Sequence, residues 1–143
     1  MADMHHLIQI DGVDAPAAYA ALTTQDGITG WWTSRALVSG GDVGDLLEMS
    51  FPDAPVTWDM RVTTADEPAR VEWKCVGGPP GWPGTRVAWV VEKTDTGAIV
   101  RLDHVGFPAV DDTFRIVTVG WAQMLVSLKA HLESGRRKPF FDF

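Results

Sequence analysis

A single cysteine, Cys75, stands in these 143 residues, so the chain has no internal disulfide and no paired-cysteine zinc motif. Long hydrophobic runs are missing too. None approaches the ~18 uninterrupted apolar residues of a membrane-spanning helix, and no span is expected. The N-terminus, MADMHHLIQID, has no basic segment followed by an apolar run, which argues against a signal peptide. A lone thiol without such a leader fits the reducing cytoplasm. Cations are scarce: 12 Lys and Arg against 19 Asp and Glu give a formal charge of -7. The one basic cluster, SGRRKP, follows a helical stretch, where cations complement the helix C-terminus. No basic track is left for a nucleic-acid backbone. His5 and His6 are adjacent and face opposite ways on a strand. With no spaced His, Asp or Glu partner, they imply no metal, and no cofactor is expected.

What is present describes one globular domain spanning 1–143. The chain is 45% hydrophobic and 22% charged, a globular balance. At this length a fold buries roughly 68–70% of its unfolded surface and needs no disulfide or metal. The compositional oddity is tryptophan, with seven residues. Each brings a large flat apolar area and one N–H donor. That stock exceeds what a small solid core needs and suits a hollow one.

HHLIQID (5–11) reads as a first strand. Asp14 caps a helix over 15–24, with Pro16 in its first turn. Thr24 caps a second short helix through QDGITGWW, which Gly27 and Gly30 weaken by about 1 kcal/mol each relative to Ala. Adjacent side chains on a regular element diverge, so Trp31 and Trp32 are not expected to fill one core. Trp32 is assigned to a pocket rim.

From residue 36 the pattern becomes period two. DLLEMSF (45–51) aligns Leu47, Met49 and Phe51, and VTWDMRV (56–62) aligns Val56, Trp58, Met60 and Val62. ARVEWKC (69–75) aligns Val71, Trp73 and Cys75, and TRVAWVVEK (85–93) aligns Val87, Trp89 and Val91. AIVRLDHVGF (98–107) aligns Val100, Leu102 and His104. Charged residues occupy the alternate positions, so the sheet has one dry face and one wet face. Turn-forming stretches, GGPPGWPG among them, separate the runs into an antiparallel meander. A long helix over about 111–134 closes the chain, capped by Asp111 or Asp112 and ended by Gly135. Val117, Trp121, Met124, Leu125, Leu128 and Leu132 form its apolar stripe. It is the only element long enough to cover the dry face.

This order resembles the helix-grip fold of START-type, birch-pollen-allergen-like (SRPBCC) proteins. Within them it is most similar to the group related to the activator of the heat-shock chaperone ATPase. LTTQDGITGWWT, DVGDLLEMSF, GTRVAWVVEKTDTGAIVRLDHVGFP and GWAQMLVSLKAHLESG carry the likeness. The resemblance implies an α+β fold: a curved antiparallel sheet wrapped around a long C-terminal helix, with two short helices after the first strand. It also implies a pocket between sheet and helix. It does not fix the activity, since the superfamily spans lipid carriers, cyclases, receptors and chaperone activators.

The expected ligand-binding set is Trp32, Trp58, Met60, Trp73, Cys75, Trp89, His104, Trp121 and Met124. Such a wall suits an apolar small molecule, although the same residues also make a filled core. His104 is the one inward titratable group, suited to orient a ligand or to exchange a proton. The alternation supplies no second inward polar group, and Asp103 faces the other way. Cys75 lacks a base or positive field, so it reads as a packing thiol. No catalytic residue is assigned. Trp82 either covers the pocket mouth or pins its loop outside. Phe140, Phe141 and Phe143 either close a groove or meet a second subunit.

The leading reading is a small cytoplasmic binding protein, monomer or homodimer, holding a hydrophobic molecule between the sheet and the last helix. A cyclase- or hydrolase-like enzyme using the same pocket and a chaperone-interacting protein are the alternatives.

Overall fold

The computed structural model describes residues 1–143. Strand β1 (Ala2–Asp11) is followed by α1 (Ala15–Thr23) and α2 (Gln25–Trp31). Six strands follow: β2 (Ala36–Val38), β3 (Leu46–Met49), β4 (Trp58–Asp66), β5 (Arg70–Gly77), β6 (Arg86–Lys93) and β7 (Gly97–Phe107). Helix α3 (Asp112–Ser134) is last. The strands form one seven-stranded sheet in the order β1-β7-β6-β5-β4-β3-β2, antiparallel at every pairing. This is the α+β helix-grip architecture. Register shifts at Asp59/Met60 and Val62/Thr64 bend β4, as extra residues in a ladder do. The sheet thereby curves around α3.

Local chemistry sets the boundaries. Asp14 accepts the Ala17 N–H at 2.8 Å, and Thr24 accepts the Gly27 N–H at 3.0 Å. Asp111 accepts the Phe114 N–H at 2.9 Å, and Gly135 ends α3 with φ 71°. Each cap satisfies a helix-terminal group that would otherwise be unpaired. Gly27 and Gly30, weak helix formers, are explained by proximity. A Cβ on Gly27 would lie 2.4 Å from the Ala20 carbonyl, and one on Gly30 would lie 2.5 Å from the His131 ring. They let α2 sit tightly between α1 and α3.

The core lies between the concave sheet face and α3. Met60, Val62, Val71, Trp73, Cys75, Val87, Trp89, Val100 and Leu102 point into it from the strands. Trp121, Met124, Leu125 and Leu128 close it from above. Each fully buried side chain of this size contributes roughly 1.5–3 kcal/mol. Two expectations are corrected here. Val56 lies outside β4 and is exposed, so it adds nothing to the inward row. Trp31 and Trp32 are both buried and stack on each other, with ring centroids 5.3 Å apart. The divergence rule applies within a regular element, and the chain leaves α2 at Trp32, its C-cap. The turn swings the second ring back over the first.

The segment after α3 runs across the end of α2. The N–H groups of Lys138, Phe140 and Phe141 donate to the carbonyls of Gly30, Trp31 and Trp32, at 2.9, 3.0 and 2.9 Å. Phe141 also bridges Thr33 in parallel.

Candidate functional site

A groove of about 380 Å³ opens beside the core, between α3 and the open end of the sheet. Trp58, at the start of β4, forms one wall. Phe51 stands against it from the turn after β3, with ring centroids 4.7 Å apart. Phe141, from the segment after α3, packs edge-on against Phe51 at 5.2 Å and forms the end wall. Trp82 comes over from the β5–β6 loop, 6.1 Å from Trp58. From α3 come Val117, Gly120, Trp121 and Met124, with Ile116 and Gln123 at the rim. Trp32 contributes the floor.

Gly120 faces open space: a Cβ built there would have no atom within 4 Å. The absent side chain is part of the groove's volume. Gln123 is the only lining residue with a hydrogen-bonding amide, and none of the lining residues is charged.

The residues anticipated from the sequence fall into two layers. Trp32, Trp58, Trp121 and Met124 line the groove. Met60, Trp73, Cys75, Trp89 and His104 are buried behind them and do not line it. Trp73 lies under Trp32 at 6.4 Å, and Trp89 lies against Trp121 at 5.6 Å. The indole N–H groups of Trp73 and Trp89 are buried without a hydrogen-bond partner.

His104 is fully buried, and both ring nitrogens are engaged. The Trp121 indole N–H donates to Nδ1 at 2.9 Å. An indole nitrogen is a donor only, so Nδ1 carries no proton. The proton therefore sits on Nε2, which donates to Thr85 Oγ1 at 2.8 Å. Thr85 in turn donates to the Trp82 carbonyl at 2.6 Å. Burial lowers the His104 pKa from 6.5 to about 3, because the charged imidazolium would be desolvated. Protonating Nδ1 would also set two donors face to face. This neutral ring ties α3 to the loop that carries Trp82, and both nitrogens are spent in doing so.

Thr85 corrects the expectation that no second inward polar group stands beside His104. It precedes β6 by one residue and shares the parity of Val87, Trp89 and Val91. Asp103 faces outward and pairs with His5 at 2.7 Å. Cys75 is buried, its thiol donating to the Gly77 carbonyl at 3.3 Å. Desolvation pushes its pKa up to about 11, which leaves it a poor nucleophile. No cluster of three or more His, Cys, Asp or Glu is placed to hold a metal.

Trp82 and Phe141, for which the sequence left a place at the pocket open, both line the groove, whereas Phe51, Gly120 and Gln123 did not stand out as pocket residues. These five belong to loops, to the segment after α3, or to helix positions between stripes. One signal was available for Gly120, since a glycine inside a long helix opposes propensity and asks for a reason.

A family model described as "Activator of Hsp90 ATPase homolog 1-like protein" matches residues 13–133. No curated protein matches. Among solved structures, the solution structure of the Aha1 dimer from Colwellia psychrerythraea is 31% identical, with a TM-score of 0.83, over 94% of this chain and 98% of that one. A protein from Staphylococcus saprophyticus is 17% identical, with a TM-score of 0.77, over 98% of both chains. One from Mesorhizobium loti is 20% identical, with a TM-score of 0.76, over 93% of this chain and 98% of the other. The last two share the fold.

Proposed function

We propose that this chain, which belongs to the family of activator of Hsp90 ATPase homolog 1-like proteins, binds an apolar, uncharged small molecule in the groove between its sheet and α3. The observation that carries this reading is the lining. Ten of its 13 residues are hydrophobic, none is charged, and Gln123 carries its one side-chain amide. Ligand sites of roughly 300–1,000 Å³ with apolar walls and few polar groups are the usual small-molecule design. Binding would come from desolvating the ligand against Trp58, Trp82, Trp121 and Met124. The Gln123 amide would supply the directional contact.

Binding is favoured over turnover by the same residues. The lining holds no acid, base or nucleophile, and His104 lies behind it with both nitrogens committed. The inner layer of Met60, Trp73, Cys75, Trp89 and His104 serves in this reading as the rigid backing of the wall. A single domain spanning residues 1–143 is part of the proposal, as is residence in the reducing cytoplasm, which suits the free thiol of Cys75. The Colwellia relative is a dimer, and we read this chain as a homodimer as well.

Native mass spectrometry of freshly purified protein, followed by titration with the neutral fluorescent probe N-phenyl-1-naphthylamine, tests the reading. Saturable binding near one probe per chain, or a co-purified apolar molecule released on denaturation, is the expected result. A clean mass together with an unresponsive probe would overturn it.

A further inference from the structure

Helix α3 has a second apolar face. Ile116, Val119 and Val126 are 71%, 59% and 63% exposed. Ala122 and Ala130, both exposed, continue the same side. At about 100° per residue this stripe lies opposite Trp121, Leu125 and Leu128, which pack on the sheet. Between Arg115 and Lys129 there is no charged residue. The outward side of a surface helix normally carries charge, and a contiguous exposed apolar patch marks an interaction surface. A groove of about 640 Å³ runs along this face, bounded by the segment that carries Pro139 and Phe140.

We infer that this face docks a second copy of the chain, α3 against α3, antiparallel about a two-fold axis near Gln123. The inference rests on the homodimer reading above and names its interface. Charge placement selects the occupant and the direction. Asp111 and Asp112 outnumber Arg115 at the exposed N-terminal end of α3, and Arg136, Arg137 and Lys138 outnumber Glu133 at and beyond its C-terminal end. Gln123 lies midway between these clusters. A two-fold axis there sets each acidic end against a basic end, twice, whereas parallel docking would oppose like charges. The same axis sets Ile116 across from Ala130, Val119 across from Ser127 and Val126 across from Gly120, large against small. A closed two-fold pair requires such a self-complementary surface. The helix dipoles are also antiparallel in this arrangement. Gln123 and Ile116 sit beside the mouth of the smaller groove, so the second copy would stand at its rim.

Sedimentation velocity of the full chain over a micromolar range tests the inference. The wild type is expected at twice the 15.6 kDa chain mass. Val126→Arg is expected to sediment as a monomer with an unchanged far-UV spectrum, because the replaced side chain is exposed and lines only the outer groove. Arg136→Glu with Lys138→Glu is expected to weaken the dimer at least tenfold, and adding Asp112→Lys is expected to restore part of the loss. These charge variants decide the question if Val126→Arg folds poorly. A wild type that is monomeric throughout overturns both the homodimer and its face. A dimer that all these variants leave intact overturns the face alone. Probe binding by the monomeric variants reports separately on the ligand reading.

Discussion

Trp121 donates its indole N–H to Nδ1 of His104 across 2.9 Å, and this one bond fixes the tautomer and charge of the only histidine buried in the core. The ring stays neutral because its Nδ1 position is taken by a donor and its surroundings are dry.

A pH dependence follows. Folded His104 protonates at about 3, against 6.5 when exposed. Below pH 6.5 the unfolded chain therefore gains a proton that the folded chain refuses. Stability contributed by the neutral ring is full above 6.5 and falls with pH, at a slope approaching about 1.4 kcal/mol per unit, until the folded ring protonates near pH 3. Urea unfolding at pH 7.5 and 5.0 is expected to differ by about 2 kcal/mol from this group. His104→Asn is expected to remove that difference. An unchanged difference in the variant would assign the pH dependence elsewhere.

Thr85 relays the ring to the loop that carries Trp82. Thr85→Val keeps the shape and deletes the relay, leaving the His104 Nε2 proton without an acceptor. A buried unpaired donor costs about 1–3 kcal/mol, so the unfolding midpoint should fall by several degrees. Thr85→Ser, which retains the hydroxyl, should lose much less. Calorimetry of the two variants side by side makes the comparison.

Gly120 gives the sharpest separation of fold from ligand. Nothing meets a Cβ at this position, and the space in front of it belongs to the groove. Gly120→Leu is expected to keep or raise stability, by up to about 1 kcal/mol from helix propensity. It is also expected to abolish probe binding by filling the site. A stable variant that binds as well as wild type would mean that ligands sit elsewhere.

Cys75 should be silent in the folded protein. With its pKa pushed up to about 11, about one thiol in a thousand is ionised at pH 8, and the sulfur is buried. Ellman's reagent is expected to register no thiol in the native chain and one per chain in guanidinium. Rapid native labelling would show that β5 opens locally.

Much of the inward face was readable along the chain. Val71, Trp73 and Cys75 alternate with Arg70, Glu72 and Lys74, and a half-buried strand admits no other register. Caps at Asp14 and Thr24 were legible because a short oxygen side chain before a helical run has one obvious use, while two adjacent aspartates left the third between Asp111 and Asp112. The depth of each inward residue was not. Trp58 and Trp73 look alike in sequence, yet α3 and Trp32 seal one and leave the other at the groove. That outcome depends on where a helix lands on the sheet, a matter of three-dimensional packing. Thr85 escaped for a smaller reason: it opens TRVAWVVEK at the parity of Val87, but a single hydroxyl at a strand's first position carries no hydrophobic signal. The uncharged outer face of α3 was present in the sequence but hidden by the inner stripe, since both occupy the same run of residues.

The seven tryptophans have an optical consequence. Their rings touch in one unbroken series: Trp58 to Trp82 at 6.1 Å, Trp82 to Trp121 at 6.3 Å, and Trp121 to Trp32 at 5.1 Å. From Trp32 the series reaches Trp31 at 5.3 Å and Trp73 at 6.4 Å, and Trp73 reaches Trp89 at 5.8 Å. At these separations excitation absorbed by any ring migrates among all of them before it is emitted. The molecule's ultraviolet emission is thus a collective signal, and a quencher resting against Trp58 at the rim darkens indoles that it never touches.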